Sequence, residues 1–145
     1  MVRILVVDDF APWREHVRSI LQRQPQYKVV GEAADGFEGV EKSEILQPEL
    51  ILLDVGLPKL NGIEAAREIQ ERAPMSKVLF VTENRSRKVA RDALRTNALG
   101  YLVKSDGASE LLRAVQAVLQ GKEFISKSLN GHQEVETDNK RKRLM

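Results

Sequence analysis

The sequence runs to 145 residues, 42% hydrophobic and 30% charged, the size and balance of one soluble globular domain that can bury a core unaided. It contains no cysteine, which excludes disulfides, thiolate catalysis and cysteine-bound zinc. A formal charge of +2 gives little reason to expect nucleic acid as a partner, although Lys140-Arg141-Lys142-Arg143 forms a short basic run near the end.

The first apolar run, Ile4 to Val7, reads as a buried strand and is stopped by Asp8-Asp9. It is far shorter than the roughly 20 apolar residues of a membrane span, and no other stretch approaches that length, so a cytoplasmic protein with no membrane contact is expected. Pro12 suits the first turn of a helix whose face carries Trp13, Val17, Ile20 and Leu21, with Pro25 marking its end. Tyr27 to Ala34 is a second strand. A helix is expected from about Gly36 to the residue before Pro48, with Phe37, Val40 and Ile45 inward. Leu50 to Leu53 is a third strand, uniformly apolar as in a sheet covered on both faces. After a loop from Gly56 to Gly62, Ile63, Ala66, Ile69 and Ala73 recur at helical spacing up to Pro74. Val78 to Val81 is the fourth strand, and a helix over about Arg87–Asn97 turns Val89, Ala93 and Leu94 inward. Tyr101 to Val103 is the fifth strand. The last helix, about Gly107–Gln120, aligns Leu111, Val115, Val118 and Leu119, and Gly121 closes it. From about Ser126 the periodicity disappears, so residues 1–125 read as the folded domain and 126–145 as a polar tail or linker.

Strict β–α alternation predicts an α/β fold, a parallel sheet with helices on both faces. Ligands of such sheets bind beyond the carboxyl ends of the strands. At those ends stand Asp8 and Asp9, then Asp54, Thr82 and Lys104. Singly, each has an ordinary structural reading: a helix cap, a loop carboxylate, a strand-end hydroxyl, a surface lysine. Together, three carboxylates, a hydroxyl and an ammonium at one edge suit Mg²⁺, which takes oxygen ligands and relieves carboxylate repulsion. Asp54 is then placed as a nucleophile toward phosphorus, with Lys104 and Thr82 stabilising the phosphoryl oxygens.

The segments Ile4-Leu5-Val6-Val7-Asp8-Asp9, Leu52-Leu53-Asp54-Val55-Gly56-Leu57-Pro58, Gly62, Val81-Thr82 and Gly100-Tyr101-Leu102-Val103-Lys104 resemble the receiver domains of two-component response regulators. The resemblance covers roughly residues 2–121. It implies a flavodoxin-like (βα)5 fold, a doubly wound five-stranded sheet in the order 2-1-3-4-5, with Asp54 as phosphoacceptor. It also implies Mg²⁺, with Mn²⁺ as a substitute, held by Asp8, Asp9, Asp54 and the main-chain carbonyl of Gly56. A sensor histidine kinase is the implied phosphodonor. Thr82 and Tyr101 are the implied switch: the hydroxyl is drawn to the phosphoryl group, Tyr101 turns inward, and the face of the fourth helix, fifth strand and fifth helix changes. A phosphorylation-favoured homodimer is a further expectation. Catalysis is expected to extend only to the domain's own phosphorylation and dephosphorylation. Leu119 to Ser126 resembles the end of receivers that continue into a LuxR-like helix-turn-helix domain, so DNA is expected as a partner only through an output domain outside this chain. The alternative is a receiver-like interaction module that works without phosphorylation.

Three positions depart from the family pattern. Ser105 stands where proline with a cis bond is frequent, Glu83 where a small residue is usual, and Gly56 lacks a side chain where relatives tune the approach of water; all three bear on rates. His16 and His132 read as surface residues, and Trp13 as packing near the acidic edge.

Overall fold

The computed structural model describes residues 1–129, and the expectations for His132 and for Lys140 to Arg143 lie outside them. Its elements follow the alternation: β1 Val2–Val7, α1 Ala11–Gln22, β2 Tyr27–Ala33, α2 Gly36–Leu46, β3 Leu50–Leu53, α3 Gly62–Arg72, β4 Lys77–Thr82, α4 Arg87–Leu94, β5 Gly100–Val103, α5 Gly107–Leu119 and β6 Phe124–Ile125. All pairings are parallel. The strand order is 2-1-3-4-5-6, so the expected five strands are joined by a sixth, two residues long, on the outer edge of β5. The pairing of β1 with β2 shifts register between Ile4 and Leu5, leaving Val30 as an extra residue in a bulge.

Alternation along the central strands divides the core. Ile4, Val6, Leu50, Leu52, Leu79, Val81 and Leu102 face α1 and α5, packing on Val17, Leu21, Leu111, Val115 and Val118. Leu5, Val7, Ile51, Leu53, Val78, Phe80, Tyr101 and Val103 pack on the other side with Val40, Ala66, Ile69, Ala90 and Ala93. Both faces are covered, which is why these strands read as unbroken apolar runs.

Helix ends follow local chemistry. Asp35 accepts from the Glu38 N–H to start α2, Asn61 from those of Ile63 and Glu64 to start α3, and Ser86 from that of Val89 to start α4. Gly121, at φ +78°, closes α5: its N–H donates to the Val118 carbonyl and that of Lys122 to the Ala117 carbonyl. That pair of bonds is a Schellman closure, whose left-handed position favours glycine.

The expectation for α2 needs correction. Phe37 and Ile45 are exposed, while Gly36, Gly39, Val40 and Ser43 are buried. A Cβ at Gly39 would stand 2.8 Å from Val7 Cγ1, so the helix packs closely at this glycine while Phe37 and Ile45 point outward. The boundary expected after residue 125 also falls within packed chain. Ser126 is fully buried, residues 127–129 turn helical, and Leu129 is buried in the core on the sheet face that α2, α3 and α4 cover.

Candidate functional site

The carboxyl ends of β1, β3, β4 and β5 open onto a cleft of about 570 Å³ lined by Asp9, Phe10, Asp54, Gly56, Thr82, Glu83, Asn84 and Lys104. Asp8 lies beneath it and is buried; Asp54 is buried, and Asp9 is exposed. Carboxylate oxygens of Asp8, Asp9 and Asp54 all lie within 4.8 Å of one another. Lys104 Nζ reaches between two of them, 2.7 Å from Asp8 Oδ2 and 3.6 Å from Asp54 Oδ2. All the sequence-expected residues except Tyr101 therefore meet at this edge.

Backbone groups fix the acids. Phe10 N–H donates to Asp8 Oδ1 at 2.9 Å, and Gly56 N–H to Asp54 Oδ1 at 3.2 Å. The backbone of Asp54 is itself confined, because a Cβ on Gly62 would stand 1.9 Å from the Asp54 carbonyl oxygen. Glycine at the start of α3 is thus what lets the helix approach the end of β3. Arg14 Nη1 donates to the Asp8 carbonyl at 2.6 Å while its Nε bonds Glu32 at 3.1 Å, bracing the turn after β1.

Three carboxylates share one nearby ammonium, and the electrostatics record it. Burial pushes the Asp8 carboxyl above the usual carboxylate range; the bonds from Lys104 and Phe10 oppose that rise, and the charge of Asp54 adds to it. Such a set of hard oxygen donors carrying excess negative charge fits a divalent cation of the Mg²⁺ type. The hydroxyl of Thr82 is buried at the same edge and accepts from the Asn84 N–H at 3.3 Å. Tyr101 is fully buried, so it already occupies the inward position expected to follow phosphorylation, with its hydroxyl donating to the Asn84 carbonyl at 2.8 Å. Burial and the charge of Asp54 raise its phenol far above its ordinary value.

Several participants were not visible in the sequence. Arg14 and Glu32 look like surface charges on helix and strand, and Asn84 like loop polarity. Trp13 does sit at the acidic edge as expected, with Lys104 Nζ 5.1 Å from its ring centroid, a cation–π distance. Trp13 and exposed Phe10 also line a neighbouring cleft of about 420 Å³ with Glu83, Arg85, Val103, Lys104 and Ser105. No cis peptide occurs among the described residues, so Lys104–Ser105 is trans and leads into a 3₁₀ turn over Lys104–Asp106.

A doubly wound parallel sheet with an acidic carboxyl edge and a lysine at the end of β5 defines a class of CheY-like α/β domains. Within it the chain matches the family model described as the response regulator receiver domain over residues 4–116, and it belongs to that family. It is 38% identical over 124 residues to the transcriptional regulatory protein DegU of Brevibacillus brevis, covering 86% of this chain and 52% of that protein. It is 40% identical over 113 residues to a protein-glutamate methylesterase/protein-glutamine glutaminase of Thermotoga maritima, covering 77% of this chain and 33% of the relative. The chain thus spans about half or less of these relatives' length. The crystal structure of a LuxR-family two-component response regulator from Aurantimonas sp. SI85-9A1 superposes with a TM-score of 0.87 at 33% identity, over 96% of this chain and 98% of that one. Transcriptional regulators and LuxR-type receivers among these relatives agree with two-component signalling as the setting. Among the described residues no helix is long and apolar enough to cross a membrane.

Proposed function

We propose that the chain is a phosphorylation-activated switch in which Asp54 accepts a phosphoryl group from the phosphohistidine of a sensor histidine kinase. The observation that carries this reading is Lys104 Nζ bridging Asp8 and Asp54 within a cluster of three carboxylates. An Asp54 oxygen attacks phosphorus, the O–P bond of an acyl phosphate forms as the N–P bond of the donor breaks, and the leaving imidazole takes up a proton. Little covalent chemistry falls to the protein, so positioning and charge do most of the catalysis. Lys104 places its ammonium against the incoming phosphoryl oxygens, and Thr82 offers its hydroxyl to one of them. Asp8, Asp9, Asp54 and the Gly56 carbonyl are the groups that would hold Mg²⁺ or Mn²⁺. Bound there, the cation would neutralise charge on the carboxylates and the transferring phosphoryl group.

The switch then runs through Thr82 and Tyr101. Drawing the Thr82 hydroxyl toward the phosphoryl group alters the β4–α4 loop, whose Asn84 carbonyl receives the Tyr101 hydroxyl at 2.8 Å. The face of α4, β5 and α5 changes with it, a local charge event biasing a two-state packing element. Control of transcription through a LuxR-like output domain, a phosphorylation-favoured homodimer on that face or on α1 and α5, and a cytoplasmic location complete the proposal. The receiver unit is residues 1–125 with its packed continuation to Leu129. Enzymatic action is confined to the domain's own phosphorylation and dephosphorylation.

Incubation with Mg²⁺ and acetyl phosphate, read by intact mass, tests this. The expected result is a gain of one phosphoryl group that chelation and Asp54→Asn each abolish. A folded, Mg²⁺-binding chain that gains none from acetyl phosphate or from a phosphorylated histidine kinase would instead be an interaction module working without phosphate.

A further inference from the structure

Ser126 lies beyond the family-matched span of residues 4–116, yet it is fully buried and makes three bonds around the turn that carries Lys104. Its N–H donates to the Tyr101 carbonyl at 2.9 Å, continuing the β5–β6 ladder. Its hydroxyl accepts from the Val103 N–H at 3.0 Å and donates to Asp106 Oδ2 at 2.5 Å. Val103 immediately precedes Lys104, and Asp106 ends the 3₁₀ turn that Lys104 begins. One hydroxyl therefore ties the entry and the exit of this turn. Asp106 Oδ2 also accepts from the Ser128 hydroxyl at 2.7 Å and the Ser128 N–H at 3.1 Å. Buried Glu110, one turn on, accepts from the Lys127 N–H at 2.9 Å.

Ser126 N–H makes a ladder bond, and its hydroxyl takes the next β5 donor, the Val103 N–H. Closing the edge needs no more than that; the same hydroxyl goes on to Asp106, at the far end of the lysine's turn. We propose that Ser126, acting through Val103 and Asp106, is a positioning residue for Lys104, so that the segment after β6 helps to set the phosphorylation site. The proposal rests on the phosphorylation reading for its kinetic consequence but not for its geometric one. It also gives a route by which a disturbance of the chain beyond Ser126 would reach Lys104, and the reverse.

Two readouts test it. The single tryptophan, Trp13, lies 5.1 Å from Lys104 Nζ and reports where that ammonium sits, independently of phosphoryl transfer. Ser126→Ala is expected to move Trp13 emission toward that of Lys104→Ala, with Ser126→Thr restoring it. At saturating Mg²⁺ and acetyl phosphate, Ser126→Ala is expected to slow phosphoryl uptake about tenfold, the scale on which small misplacements of a catalytic group act. In a Lys104→Ala background it should slow uptake no further, because the two residues act as one unit. Unchanged emission, or a Ser126→Ala effect of full size without Lys104, overturns the proposal in favour of a merely structural serine. If Ser126→Ala does not fold, Asp106→Ala, which removes the acceptor, is read by the same criteria. Should the wild-type chain take up no phosphoryl group, the phosphorylation reading falls, while Trp13 emission still decides whether Ser126 positions Lys104.

Discussion

Asp8 concentrates the electrostatic tension of the site: it is buried, charged and 2.7 Å from Lys104 Nζ, with Asp54 adding like charge. Its carboxyl is raised in the folded state. Its favourable contribution to folding is therefore fully present below the unfolded value of about 3.9 and is lost as pH rises through the folded value. At pH 7 and without metal the ionised group works against folding. Asp8→Asn is thus expected to raise metal-free stability by about 1 kcal/mol in urea unfolding while weakening Mg²⁺ binding about tenfold or more. A lower urea midpoint would mean that the ion pair with Lys104 outweighs burial. Asp8, Asp54, Thr82 and Lys104 were legible because each ends an apolar run that could only be a buried strand. Ser126 was not legible: a serine in a polar stretch carries no sign that it is buried, and its partners lie 20 or more residues away.

Among the elements, α2 and α3 show what hydrophobic periodicity misses. Phe37 and Ile45 fit an inward stripe, yet α2 buries glycines, because Val7 of β1 lies too close to Gly39, and the Leu60 backbone too close to Gly36, for larger side chains. Apolar patterning counts large residues and is blind to packing that requires the smallest one. The same holds at Gly62, which looks like a loop end and instead admits α3 against the Asp54 backbone. Gly62→Ala is expected to cost about 2 kcal/mol, as overpacking does, and to weaken Mg²⁺ binding and phosphoryl uptake by displacing Asp54. Stability and uptake both at wild-type level would show that the backbone there yields easily. The sixth strand escaped notice for another reason: two residues, Phe124–Ile125, are too few to display any period.

Across the whole molecule, the alternation of strands and helices predicted the parallel sheet, whose strand ends place the acidic edge, while its order was implied by the resemblance to receiver domains. What it did not indicate is that the outer edge of β5 is covered by the chain's own continuation, held by Asp106 and Glu110. Burial alone would raise the Asp106 carboxyl, but the Ser126 and Ser128 hydroxyls and the Ser128 N–H outweigh it, Arg85 contributes, and the group lies below its ordinary value. Its contribution to stability is present above about pH 3.9 and is lost as pH falls through the lowered folded value, opposite in sign to Asp8. At neutral pH the Val103 and Ser126 amides are therefore expected to exchange hydrogen as slowly as the rest of β5. Rapid exchange at Ser126 beside a protected Leu102 would show that the segment opens independently of the body.

The central claim, that Asp54 carries the phosphoryl group, is tested most directly by borohydride reduction of the phosphorylated chain followed by peptide sequencing in the mass spectrometer. An acyl phosphate is reduced to the alcohol, so the account predicts homoserine at position 54 and nowhere else. A phosphoryl group that survives reduction, or homoserine at position 8 or 9, would contradict it.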